Sequence, residues 1–246
     1  MRKLACAYYL LLAAIIFCQS CAKVDEHSDT NDANIDEVTE FSSIEGNVKR
    51  KNFINSYIDV NDITVEKFDN QQSVFPMIVV STDGHRYSVN SDRHKQISEQ
   101  IGDTCYYRYS DPSYEVVNDE ICDIDIICVE AFDDEHQEGA SLSNITTVVM
   151  ASPYNYVKNG YKDDSKQDDS KTLAEYLEYN GIYFLPHYEA KCVKMKDLNQ
   201  CETIYFAPQL FIIFDKLPSK KGFYSFNVML DLSDNKLKKM VKMNFN

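Results

Sequence analysis

Glycine and proline are scarce, 7 and 6 in 246 residues, which excludes collagen-like and low-complexity chains. Positive charge is also in short supply: 25 Lys and Arg stand against 39 Asp and Glu, a net charge of −14. Nucleic acid is therefore excluded as a partner, because a phosphate-backbone binder concentrates basic side chains. Beyond the first twenty-two residues no apolar run is long enough for a transmembrane helix. GxSxG, HExxH, the P-loop and GxGxxG are all missing, and no cofactor is implied. His27, His85, His94, His136 and His187 never stand at paired ligand spacing. Missing motifs do not exclude a catalytic site assembled from distant residues.

The amino end holds the clearest signal. Arg2 and Lys3 precede an apolar run from Leu4 to Cys18, too short to span a bilayer and shaped like a secretory leader. Cys18-Gln19-Ser20-Cys21 resembles a bacterial lipoprotein box, with Ser20 before the cysteine to be acylated. The box departs from the usual one at Cys18 and Gln19, and cleavage after Ala22 as an ordinary leader is the alternative. Residues 1–21 are thus read as a lipoprotein signal peptide, with the mature chain starting at Cys21. Each buried methylene adds about 0.8 kcal/mol of membrane affinity, so several acyl chains would hold the protein permanently. Residues 22–50 are polar and acidic, a composition unable to offset the entropy of ordering. They are expected to form a flexible tether reaching on the order of 30 Å.

From residue 51 onward Tyr, Phe, Val and Ile favour strands. Candidates are Phe75 to Val80 and His85 to Val89 around an Asp83-Gly84 hairpin turn, and Ile121 to Val129. Further candidates are Ile145 to Met150, Tyr188 to Val193, Gln209 to Phe214, Tyr224 to Leu232 and Leu237 to Phe245. Tyr224, Phe226, Val228, Leu230 and Leu232 share one face, the cleanest alternation in the chain. Ser233-Asp234-Asn235 is expected to turn between the last two strands, and Asp59-Val60-Asn61-Asp62 to be another turn. The expected fold is mainly β: one domain, residues 51–246, forming an antiparallel β-sandwich of immunoglobulin-like arrangement. A short helix is expected over Ser170 to Gly181, with Thr172 and Glu175 at capping-box spacing, and another over Asp92 to Ile101. Residues 156–171 read as a solvated mobile insertion.

Five cysteines fall in the folded part, and no C-x-x-C joins any of them, which leaves a redox motif or zinc ribbon unsupported. In an exported domain Cys192 and Cys201 are candidates for a disulfide across a hairpin end. Cys105 has Cys122 or Cys128 as possible partners, and one cysteine is left as a buried core thiol.

Asp133, Glu135 and His136 form the most suggestive chemical constellation. Carboxylates beside an imidazole can bind a divalent cation or act as acid and base. A solvated turn ending at Gly139 is the simpler account. The tyrosines of Tyr106 to Tyr114 read either as a sugar-stacking or partner-contacting surface, or as strand packing. Asn144-Ile145-Thr146 matches a glycosylation sequon that a bacterial lipoprotein would not use.

The leader, Cys105 to Thr146 and Tyr224 to Leu237 together resemble an uncharacterised Bacteroidota lipoprotein family. The resemblance rests on Glu135-His136-Gln137-Glu138-Gly139-Ala140-Ser141-Leu142 and on a closing Leu-Ser-Asp hairpin, with Asn235 where glycine is common. It implies a β-rich envelope lipoprotein and carries over no catalytic residues. The leading expectation is a lipid-anchored, non-enzymatic module of the outer membrane or cell surface that binds a protein or glycan. The rivals are an anchored glycan hydrolase using Asp133, Glu135 and His136, and an inhibitor or immunity-type lipoprotein whose acidic surface meets a basic partner.

Overall fold

The computed structural model describes residues 49–69, 75–109, 113–162, 170–201 and 203–245. The proposed leader, Cys21 and nearly all of the expected tether lie outside them. In chain order the strands are β1 (Lys49–Arg50), β2 (Ser56–Phe68), β3 (Met77–Ser88), β4 (Arg108–Tyr109), β5 (Glu115–Val117) and β6 (Ile121–Cys128). They continue with β7 (Thr146–Ser152), β8 (Glu189–Lys194), β9 (Gln209–Phe214), β10 (Gly222–Leu232) and β11 (Lys236–Phe245). Helices are α1 (Asp92–Ile101), α2 (Tyr154–Lys158) and α3 (Ser170–Tyr179).

The fold is mainly β. Six strands in the order β5-β2-β3-β9-β7-β8 form one sheet, and β11-β10-β6 form a second. Every pairing in them is antiparallel except β2 with β5. The alternation along β10 does what it predicts: Tyr224, Phe226, Val228, Leu230 and Leu232 are buried. They pack with Ile124, Ile126 and Cys128 of β6 and Val241, Met243 and Phe245 of β11 against Ile58, Ile78, Val148 and Ile212 of the larger sheet. The larger sheet has a second covered face. Phe211 and Ile213 of β9 join Leu177 of α3 in one cluster, while Tyr57 joins Ile97 and Ile101 of α1 in another. Burial on both faces explains why Phe211-Ile212-Ile213-Phe214 is apolar without alternation.

Asp83-Gly84 is not a hairpin turn, because β3 runs straight through it and pairs with β2. Asp59 to Asp62 likewise lie within β2, where Asn61 is the extra residue of a bulge between Val60 and Asp62. Gly84 sits against that bulge, and a Cβ there would stand 2.0 Å from the carbonyl oxygen of Asp59. Residues 156–171 are not wholly a solvated loop, for Tyr156, Val157 and Tyr161 are buried under the α1 cluster. The near-repeat at 163–169 lies outside the described residues. Helix α3 begins at Ser170, so Thr172 is inside it rather than capping it; Gly181, at φ 67°, follows its end as expected.

The expected Cys192–Cys201 disulfide is not formed, and Cys105, Cys122 and Cys128 are free thiols too. Its premise was a hairpin end, whereas Met195–Gln200 fold as a 3₁₀ helix leading away from β8. Cys122 faces outward because the register of β6 against β10 shifts at Asp231 and Leu232. Cys128 is the core thiol.

Candidate functional site

Strand β6 ends in a loop that folds back on its own edge. Gly139, at φ 81°, donates its N–H to the Cys128 carbonyl, and Leu142 donates to Ile126. Phe132 is fully buried, its ring 5.9 to 6.1 Å from those of Phe214, Phe226 and Phe245. This plug carries the next residue, Asp133, into the rim of the core at 7% exposure, with His136 at 4% beside it. The turn is real and mostly solvated, as the simpler expectation has it: Asp134, Glu135, Gln137, Glu138 and Gly139 are exposed, and Phe132, Asp133 and His136 are its buried members. Glu135 points outward.

The three side chains do converge, with one potential ligand atom of each within 4.8 Å of the others. Asp133 and His136 are nevertheless engaged by groups of the protein itself. Asp133 Oδ1 accepts the backbone N–H groups of Glu135 at 2.9 Å and His136 at 2.8 Å. His136 Nδ1–H donates to the same oxygen at 2.7 Å, since a carboxylate can only accept, and Nε2 lies 2.9 Å from the Asn144 side-chain amide. Asp133 Oδ2 is paired at 2.9 Å with the ammonium of Lys216, which also stands 3.8 Å from Glu135. A metal ion bound by Asp133, Glu135 and His136 would have to displace that ammonium. Burial by itself would raise Asp133, but Lys216, His136 and the two backbone donors overcome it and hold the carboxyl well below the usual range. Such a carboxyl is no proton donor at neutral pH. The Asp133 carboxylate in turn pushes the Lys216 ammonium up from its ordinary value.

Asn144 and Lys216 were invisible as site residues in the sequence. Asn144 stands out only as part of the sequon, and Lys216 lies 83 positions after Asp133, in the connection leaving β9. The same connection is tied back by Ser219, whose N–H donates to the Phe132 carbonyl at 3.0 Å. The cluster therefore fastens the β6 loop to the β9–β10 connection.

A second polar group lies under α1. Ser98 Oγ is 3.4 Å from His94 Nδ1 and 3.1 Å from the Tyr57 hydroxyl, while His94 Nε2 meets the Ile54 carbonyl at 3.0 Å. Serine beside imidazole resembles a nucleophile with its base, but both are sealed from solvent, and burial lowers His94. Nearby Asp103 is fully buried and accepts from Phe53 N, Ile54 N and the Tyr161 hydroxyl at 2.7, 2.9 and 3.0 Å. These groups pin the segment before β2 to α1. Of the tyrosines in Tyr106 to Tyr114, Tyr106 and Tyr114 are buried against Phe53 and Tyr107 is exposed, while 110–112 lie outside the described residues.

Among the described residues no helix is long and apolar enough to cross a membrane. No protein-family model, curated protein or solved structure matches the chain.

Proposed function

We propose that this chain is a lipid-anchored cell-envelope protein that works by binding a protein or glycan rather than by catalysis. The anchor is argued from Cys18-Gln19-Ser20-Cys21 behind a short apolar run, followed by an acidic stretch too polar to fold alone. The binding reading is carried by one observation: the acid–imidazole cluster at Asp133 and His136 is closed by Lys216 and Asn144, which take up Asp133 Oδ2 and His136 Nε2. That closure takes the local support from the hydrolase reading, which needed those groups open in a cleft.

Replacing Cys21 with alanine tests the anchor. The native chain is expected to partition into the detergent phase and Cys21→Ala into the aqueous phase; unchanged partition overturns the anchor. Incubating the purified chain with envelope glycans tests the rest. Product release that disappears in Asp133→Asn would replace binding with hydrolysis.

A further inference from the structure

In a chain of net charge −14, the run Lys49-Arg50-Lys51 goes against the grain. It stands where the described part of the chain begins, twenty-eight residues after Cys21. Strands β1 and β4 pair antiparallel there, with Arg50 directly opposite Arg108. Directly opposed residues of an antiparallel pair share a face, and two like charges so placed repel. Among the described residues no carboxylate pairs with either: Arg50 Nη1 is buried without a hydrogen-bond partner there, and the Arg108 guanidinium rests 5.8 Å over the Tyr106 ring. Tyr106 is itself locked edge-on against Phe53 and Tyr161, each at 5.2 Å, so Arg108 stands on a fixed base. Between them Tyr107 takes φ 44°, a backbone a tyrosine rarely adopts, and its ring is 59% exposed. Lys51 is exposed beside this pair.

Two opposed guanidinium groups with an unmet donor call for an anion. An amphipathic tyrosine held out next to them suits the headgroup layer of a bilayer, where tyrosine rings and basic side chains gather. We propose that Arg50, Lys51, Tyr107 and Arg108 form a patch that seats the domain on anionic phospholipid headgroups. The proposal rests on the anchored reading, since the same end of the domain receives the chain from Cys21. It specifies which side of the domain faces the membrane, leaving the rest of the acidic surface directed outward.

The chain has no tryptophan, so Tyr107→Trp places a single tryptophan, excited apart from the tyrosines, in the patch. The full chain carrying it is reconstituted into phosphatidylcholine vesicles and into vesicles one-third phosphatidylglycerol. In the anionic vesicles its emission is expected to shift to the blue and to be quenched by brominated lipid. Half-molar salt should reverse both effects. Adding Lys51→Glu and Arg108→Glu, both exposed positions, should lower the patch's affinity for the anionic surface by at least about 25-fold, at about fivefold per basic residue, and the quenching with it. Flotation of the same samples separates the two ideas. A chain that floats with both vesicles while its tryptophan stays water-exposed overturns the patch and leaves the anchor standing. One that floats with neither overturns both. One that floats only with anionic vesicles, with its tryptophan shifted, supports the patch and overturns the anchor. Salt-sensitive binding to inorganic polyphosphate without any tryptophan response to vesicles assigns the arginines to another anion and overturns membrane docking.

Discussion

Asp133 shows how a residue type that suggests catalysis becomes structural through its surroundings. An aspartate near the surface of a turn would titrate in its ordinary range and exchange partners with water. Here the neighbouring Phe132 is driven into the core, and Asp133 follows it to a place where only fixed donors remain. With its folded value held low, the unfolded chain takes up the proton first as pH falls. The stabilisation is therefore complete above about pH 4 and disappears as pH drops through the depressed value. Asp103 has the opposite sign: burial raises it, so its contribution is whole below about pH 4 and is lost as pH rises through the raised value. Asp133→Asn is expected to lower stability at pH 7 by about 2–4 kcal/mol, because it removes the charge that Lys216 and His136 meet and turns an amide N–H toward the Lys216 ammonium. In urea titrations the gap between native chain and variant should narrow from pH 7 to pH 3. A gap independent of pH would rule out the charge as the cause.

At the scale of elements, the β2–β3 pair depends on one glycine. The bulge at Asn61 brings the carbonyl of Asp59 into the space a side chain at position 84 would occupy. The obstacle is backbone and cannot swing aside, so Gly84→Ala is expected to cost about 3 kcal/mol, at the upper end of overpacking effects. A shift in the midpoint of urea unfolding reports it. This pair also marks the limit of what the residues disclose by themselves. Strands β6, β9, β10 and β11 were legible because period-2 burial or an unbroken apolar run is written in their own side chains. Helix α1 was legible from the same kind of local pattern. Strand β2 was not, since Asp59, Asn61 and Asp62 are turn formers in isolation, and a bulge with long-range pairing accommodates them inside a strand. Asp-Gly misled for the same reason: its glycine serves a close approach rather than a reversal. The candidate site was half legible. Asp133, Glu135 and His136 are adjacent in sequence, whereas Lys216 and Asn144 reach them only through the tertiary fold.

The described residues form a sandwich of two sheets with a helical cover on the larger one, and the chain carries a large excess of negative charge. Self-repulsion of that excess works against compactness, and salt screens it. Raising NaCl from 10 mM to 300 mM is expected to raise the melting temperature by about 2–4 °C, the shift that 1 kcal/mol makes in a domain of this size. A melting temperature that falls instead would show that specific ion pairs such as Lys194–Asp215 and Lys239–Asp62 outweigh the net repulsion. The smaller sheet ends at β11, whose edge carries Lys236, Lys238, Lys239 and Lys242, all exposed. If many identical copies crowd one leaflet, their open strands would meet lysine to lysine. The crowd would then repel itself along that edge, where a continuous ribbon of chains could otherwise begin to grow.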